Sequence, residues 1–385
     1  MRSLLTCACR YFQHERGAYI GLYAMLLAGS NFFAPIIAGF IADGQGWEWV
    51  LYWCAIFCGM GFIFLFFFME ETNYSRSTIV GHELDNDKAI TPDKSTPKRS
   101  DEKTTPPDVD VEPATSPSPP PTSHGKPKSY LDKIKLFRKA DLQKPNRLAS
   151  MTFRPLIFLT FPVIFYAGFS YGSNLIWFNV LNGTASLVLG GPPYNFAASM
   201  VGLSYVSPLL GVAVGSFYTG PIGDRIVLWM ARRNKGILEP EHRLWLFTPS
   251  LLLIPGGLLL WGVGAANEVH WVGCVFAAGV IAATNTIGVQ LSISYALDSY
   301  KDLGGEAIVT VIIVRNTMSF AIGYGITPWV DGMGLQNAFI VAAFAGLVQC
   351  CSFFLMVRWG KGLRRDSSAK YAKYVEKMAS DGMVH

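Results

Sequence analysis

Eight stretches of this chain, 18–41, 49–69, 153–180, 198–219, 246–265, 271–295, 307–329 and 336–357, are apolar over their whole length and nearly free of charge. A membrane-crossing helix needs about 20 such residues to span roughly 30 Å of hydrocarbon. The pattern predicts an all-α fold, a polytopic membrane helix bundle of about eight transmembrane helices. Composition agrees, because 51% of the 385 residues are hydrophobic and only 15% are charged, against about 25% charged in a soluble protein.

Lys and Arg collect in short loops on the cytoplasmic side of a membrane, so their distribution tests the span count. Three precede the first span, 15 lie in 70–154, five in 220–245, one (Lys301) in 296–306 and seven from Arg358 onward. The loops 42–48, 181–197, 266–270 and 330–335 hold none. Positive charge therefore alternates loop by loop. This predicts both termini and the long middle segment in the cytoplasm. The net charge of +5 needs no nucleic acid as partner, since membrane lipid with anionic headgroups faces the basic loops.

Residues 73–130 are rich in Pro, Ser, Thr, Lys and Asp and read as a disordered linker, too poor in apolar surface to offset its ordering entropy. Beyond it, Tyr130, Leu131, Ile134, Phe137, Ala140 and Leu142 recur at helical spacing among Lys133, Lys135, Arg138 and Lys139. That is the pattern of a basic amphipathic helix lying on the membrane. Tyr371, Tyr374, Val375 and Met378 against Lys370, Lys373 and Lys377 repeat it in the tail.

The sequence carries no reactive constellation that would make the chain an enzyme. Its six histidines are scattered through loops and termini without metal spacing, and no nucleophile elbow or phosphate-binding glycine loop occurs. No cofactor or metal site is expected. The seven cysteines are odd in number, and Cys54, Cys58, Cys274, Cys350 and Cys351 sit within apolar runs. They read as packing residues, not a disulfide framework.

Polar side chains within the spans are more informative, because hydrocarbon disfavours them unless they face protein or a water-filled path. The first span carries Ser30 and Asn31. In the third, Ser170, Asn174 and Trp177 share one helix face by spacing. The sixth holds Thr284, Asn285, Thr286 and Gln290, and the seventh Arg315, Asn316, Thr317 and Ser319. Asn31, Asn174, Trp177, Asn285, Gln290, Arg315 and Asn316 are the candidate lining of a solute path; the other reading makes such groups interhelical hydrogen bonds. Arg315 lies about nine residues, some 13 Å, inside its span. A structural ion pair with Asp298, Asp302 or Glu306 is one reading, and a gating or substrate-charge role the other. No carboxylate lies deep in any span to serve as an obvious proton carrier.

The loop after the fourth span reads Gly220-Pro-Ile-Gly223-Asp224-Arg225, followed by Ala231-Arg-Arg-Asn-Lys-Gly236. A Gly-x-x-x-Asp-Arg turn before a basic cluster resembles the cytoplasmic gating motif of the major facilitator superfamily. The likeness extends through His14-Glu-Arg-Gly17, Gly29 to Gly39, Gly46-Trp-Glu-Trp49, Glu70 to Tyr74, Glu239-Pro-Glu-His-Arg-Leu244, Asp298 to Ala307 and Arg315-Asn316. Together these resemble the fungal drug:proton antiporter branch. The resemblance implies secondary-active transport, as efflux of a small organic solute, drug or secondary metabolite, by alternating access. It also implies a plasma-membrane location, the proton as coupling ion, and Gly220, Gly223, Asp224 and Arg225 as a cytoplasmic gate.

Family members place six spans before the long linker, whereas two precede it here. By that register the first span corresponds to the family's fifth, and the fold is major-facilitator-like with an incomplete first half. The expected division is 1–72, a two-span remnant of the first bundle; 73–150, linker and amphipathic helix; 151–358, a six-helix bundle; and 359–385, a cytoplasmic tail. The alternative is a truncated, non-transporting membrane protein, a remnant or an oligomerising scaffold. The sequon at Asn182 falls in an expected outside loop and is a glycosylation candidate, whereas that at Asn73 falls inside.

Overall fold

A peptide group that meets only hydrocarbon finds no water to bond, so a chain this apolar must satisfy its backbone internally, and helices do so within one segment. The computed structural model describes residues 16–68, 155–300 and 304–380, all of them helix, turn or connecting coil. The linker 73–130, the basic amphipathic stretch 130–142, the sequon at Asn73 and the pair Lys301 and Asp302 lie outside the described residues.

The helices are α1 (Arg16–Gln45), α2 (Trp47–Phe68), α3 (Pro162–Gly190), α4 (Ala198–Ser204), α5 (Val206–Phe217), α6 (Gly223–Arg233), α7 (Ser250–Ala266), α8 (Trp271–Ser299), α9 (Gly304–Met333) and α10 (Leu335–Ser380). A π-turn, Tyr218–Ile222, joins α5 to α6, and a 3-10 helix, Pro240–Phe247, leads into α7. Among the described residues six helical stretches are long and apolar enough to cross a membrane: Trp47–Phe68, Ala198–Arg233, Pro240–Ala266, Trp271–Ser299, Gly304–Met333 and Leu335–Glu376. The other two expected spans are helices of 30 and 29 residues, α1 and α3, each roughly 45 Å long at 1.5 Å per residue. In α3 the polar run Ser170, Tyr171, Ser173 and Asn174, with Asn179 and Asn182 beyond it, lowers the apolarity.

Three boundaries differ from expectation. The third span begins at Pro162, not 153, because residues 159–161 form a turn that ends at Phe161, and it continues to Gly190. Asn182 is therefore inside α3 and not in a loop. Thr184 of its sequon is buried, donating to the carbonyls of Val180 and Leu181, because the apolar run resumes with Ala185, Val188 and Leu189. The helix of the last expected span does not stop at 357: α10 continues as one helix of 46 residues. The apolar residues of its basic end, Tyr371, Tyr374 and Val375, pack against protein where a membrane-lying helix was expected.

Residues Cys54–Pro145 form a unit separate from the remainder. Its described part, the end of α2, stacks Phe62 on Phe66 and Phe64 on Phe68. In the other unit α8 is central, packed by α3, α5 and α7; α9 covers α3, α10 covers α7, and α1 lies against α4 and α5. Leu252, Val214, Phe276 and Val348 are exposed on the bundle's outside, the arrangement hydrocarbon surroundings favour. Helices separated by one residue meet at Gly46 and Gly334, whose φ of +94° and +75° favours glycine.

Two apolar cores are stacked along the bundle. One gathers Trp177, Leu181, Leu258, Trp261, Ile281, Ile326 and Phe339; the other gathers Phe161, Ile164, Leu244, Leu291, Tyr295, Val311 and Phe353. Small residues set the helix spacing. A Cβ built on Gly211 of α5 would lie 2.1 Å from the carbonyl oxygen of Gly279 of α8, and one on Gly39 of α1 would lie 2.7 Å from that of Ala198. Gly211→Val should therefore force α5 off α8 and destabilise the bundle by about 1–3 kcal/mol or more. Gly256→Ala, which meets nothing within 4 Å, should leave the thermal midpoint unchanged or raised. Thermal unfolding of the two purified variants in detergent checks this.

Candidate functional site

Between the two cores three helices turn polar at the same level. On α3, Ser170, Ser173 and Asn174 follow Tyr166 and Ala167 of one core and precede Trp177 of the other. On α8, Thr284, Asn285 and Thr286 lie between Ile281 and Ile287, and on α9 Arg315, Asn316 and Thr317 lie between Val311 and Ile322. The helices touch at this level: a Cβ on Gly288 of α8 would meet the side chain of Asn174, and one on Gly172 would lie 3.2 Å from Cα of Arg315.

Asn174 is buried and donates Nδ2–H to the Ser170 carbonyl at 2.7 Å. Its Oδ1, like that of Asn285, is buried without a hydrogen-bond partner among the described residues. Such a group costs roughly 1–3 kcal/mol and is a ready acceptor for anything that enters the layer. Trp177 closes the layer on one side, donating Nε1–H to Gln349 Oε1 at 2.9 Å.

Among the described residues Arg315 forms no carboxylate pair, the ion pair that was one reading of the sequence; Asp302 lies outside them. Its guanidinium donates to the Tyr171 hydroxyl at 2.9 Å and twice to Asn316 Oδ1, at 3.0 and 2.7 Å, and stands 5.1 Å from the centre of the Tyr171 ring. Asp298 is taken by Arg243 at 2.7 Å, and no ion pair joins Arg315 to a carboxylate among the described residues. Two candidates lie apart from the layer. Gln290 is bound across helices, accepting from Thr219 and donating to Ser216 at 3.3 Å. Asn31 is exposed on α1, which packs on α4 and α5 and reaches α3 through Phe32 against Phe178.

The gate motif sits at one end of the bundle. Gly220 and Pro221 fall in the π-turn, Gly223 is buried against Leu246, and Asp224 and Arg225 are exposed in the first turn of α6. Asp224 faces Arg243 at 3.9 Å, and the same guanidinium binds Asp298 at the end of α8. Arg243 is the residue that sequence reasoning missed as a partner; its signal lay in the Glu239-Pro-Glu-His-Arg stretch, which folds as a 3-10 helix. Glu239 caps that helix, reciprocally with His242, and binds Lys361 of α10 at 2.6 Å. Glu241, almost fully buried, accepts two bonds from Arg364 at 3.0 and 2.7 Å.

The sequence pattern of the Major Facilitator Superfamily matches residues 3–328. The chain belongs to this family. This facilitator chain is 28% identical to an uncharacterized MFS-type transporter of Schizosaccharomyces pombe, over 95% of its own length and 66% of the relative's. It is 27% identical to Protein HOL1 of Saccharomyces cerevisiae, over 92% and 66%, and 24% identical to a probable efflux pump, mfs2, of Aspergillus flavus, over 93% and 76%. It thus spans about two thirds of the length of the first two. No solved structure matches it. Membership makes the chain a multi-pass membrane protein of a transporter family and points away from enzymatic chemistry.

Two outcomes follow for the facilitator's charged end. Arg364→Ala strands the buried Glu241 carboxylate and should cost about 3–5 kcal/mol, read as a lowered thermal midpoint. The Lys361 ammonium holds the Glu239 carboxyl below its ordinary pKa. A carboxyl lowered in the folded state contributes stability above its unfolded value, lost as pH falls through the folded one. The Glu239→Gln variant should therefore show a smaller loss of midpoint than the wild type on acidification below the ordinary glutamate range, by a modest margin for so exposed a pair.

Proposed function

We propose that this chain serves secondary-active transport of a small organic solute, exporting it by alternating access. The observation that carries the reading is the polar layer on α3, α8 and α9, held between two apolar cores within helices of membrane-crossing length. Polar and charged side chains at that depth are expensive unless they face protein partners or a solute or water path. Arg315, fixed by Tyr171 and Asn316, presents a positive charge there, and the buried, unpaired amide oxygens of Asn174 and Asn285 are acceptors. The layer accordingly favours a solute with both an anionic or strongly accepting group and hydrogen-bond donors.

The linkage from Asp224 through Arg243 to Asp298 supports a gate at one end. It joins the start of α6 to the end of α8 through an exposed carboxylate, Asp224, and the partly exposed Arg243 and Asp298, a contact that exchanges with water at little cost. The alternation of basic loops supports placing that end in the cytoplasm. Export follows the printed name of one relative, and the proton as coupling ion follows the branch that the sequence resembles.

The test is flux of a panel of labelled organic anions and zwitterions through vesicles reconstituted with the purified chain, with and without a pH gradient. Flux above empty vesicles is expected for at least one solute. Arg315→Ala should reduce it about tenfold or more, the worth of hydrogen bonds to a charged group, and Arg315→Lys by less. Flux no greater than that of empty vesicles across the panel would overturn the reading in favour of a non-transporting protein.

A further inference from the structure

A cavity of about 530 Å³ lies at the charged end of the bundle, outside the polar layer. It opens between the loop before the 3-10 helix, the end of α8 and the extension of α10, and its walls include Ser299, Tyr300, Lys361, Arg364, Arg365 and Tyr371. We propose that this cavity binds a phosphate group, carried by an anionic lipid headgroup or by a soluble phosphate ester.

The charge balance sets the ligand's sign. Among the described residues three cationic side chains line the cavity against one carboxylate, Glu239, and the excess remains positive even when the buried Glu241 behind Arg364 is counted. Arg364 is committed to Glu241 and Lys361 to Glu239. Arg365 is exposed and forms no ion pair among the described residues. An arginine fork without a carboxylate matches phosphate oxygens in shape and charge.

A further group points the same way. The Ser299 hydroxyl is buried without a hydrogen-bond partner among the described residues, whereas the neighbouring hydroxyls are occupied. Tyr300 bonds Ser367 at 2.7 Å, and Ser368 donates to the Arg365 carbonyl at 2.6 Å. A phosphate oxygen accepting from Ser299 and Arg365 would satisfy both. The volume is that of a small-molecule site, larger than a bare ion requires. The position, one turn beyond the exposed Trp359, is that of the membrane interface, where tryptophan concentrates.

Binding is measured on the full chain in phosphatidylcholine nanodiscs with two probes, phosphatidylinositol 4-phosphate added to the disc and soluble inositol trisphosphate, read by native mass spectrometry and by thermal shift. One saturable site is expected. Saturation by the lipid probe alone assigns the headgroup, and equal saturation by the soluble probe assigns a free phosphate ester; both support the site. Arg365→Ala should weaken binding about fivefold, the effect of one basic side chain facing an anionic surface, with the ligand-free midpoint unchanged. Ser368→Asp, which sets a carboxylate at the rim, should weaken it as well. Absence of saturable binding by either probe, or wild-type binding by both variants, would overturn the proposal. None of these readouts requires solute flux, so the result stands apart from that of the transport test.

Discussion

Helices in a bilayer gain little hydrophobic free energy by touching one another, since lipid tails are as apolar as leucine, and their association rests on close backbone approach and packing. Everything else in the bundle depends on those approaches. Gly211 against Gly279 brings α5 to α8, Gly39 against Gly202 brings α1 to α4, and Gly168 and Gly172 seat α3 on Val314, Arg315 and Met318 of α9. Such crossings fix relative depth along the membrane normal as well as distance. The polar residues of three helices consequently fall at one level, with an apolar core on either side.

The 3-10 helix at Pro240–Phe247 has an influence out of proportion to its eight residues. Its capping Glu239 and buried Glu241 face α10, whereas Arg243 faces Asp224 and Asp298. Ion pairs to three helices thus converge on a single turn of chain. Their strengths differ with burial: the Arg364–Glu241 pair is costly to break because the carboxylate has no water to return to, but the exposed Asp224–Arg243 contact is weak and replaceable.

Most of the helices were legible in the amino-acid sequence, since length, apolarity and the alternation of basic loops are strong signals in a membrane chain. The depth of Arg315 was equally plain from its distance to the span's start. Its partners were not: nothing local connects Arg315 with Tyr171, 144 residues away, and the nearby carboxylates made an ion pair the natural reading. The start of α3 was misplaced because Phe158 and Phe161 are as apolar as the helix that follows, yet a turn between them separates them from it and both pack into a core. Asn182 looked like a loop residue because three asparagines within nine positions, Asn174, Asn179 and Asn182, imitate the end of a span. The tail helix carried the composition of a membrane-surface segment, and composition alone does not tell lipid from a protein surface rich in Phe and Tyr.

The unbroken α10 has a mechanical consequence. Its 46 residues make a rod of roughly 69 Å at 1.5 Å per residue, more than twice the thickness of the hydrocarbon, and no proline interrupts it to act as a hinge. Phe339 is seated on Gly262 near one end, while Arg364, Ser367 and Tyr371 are fastened at the other. A helix without a hinge passes a tilt of its embedded part on as lateral travel of its far end. Any rocking of the bundle would thus be delivered, undamped, to the turn that carries Arg243.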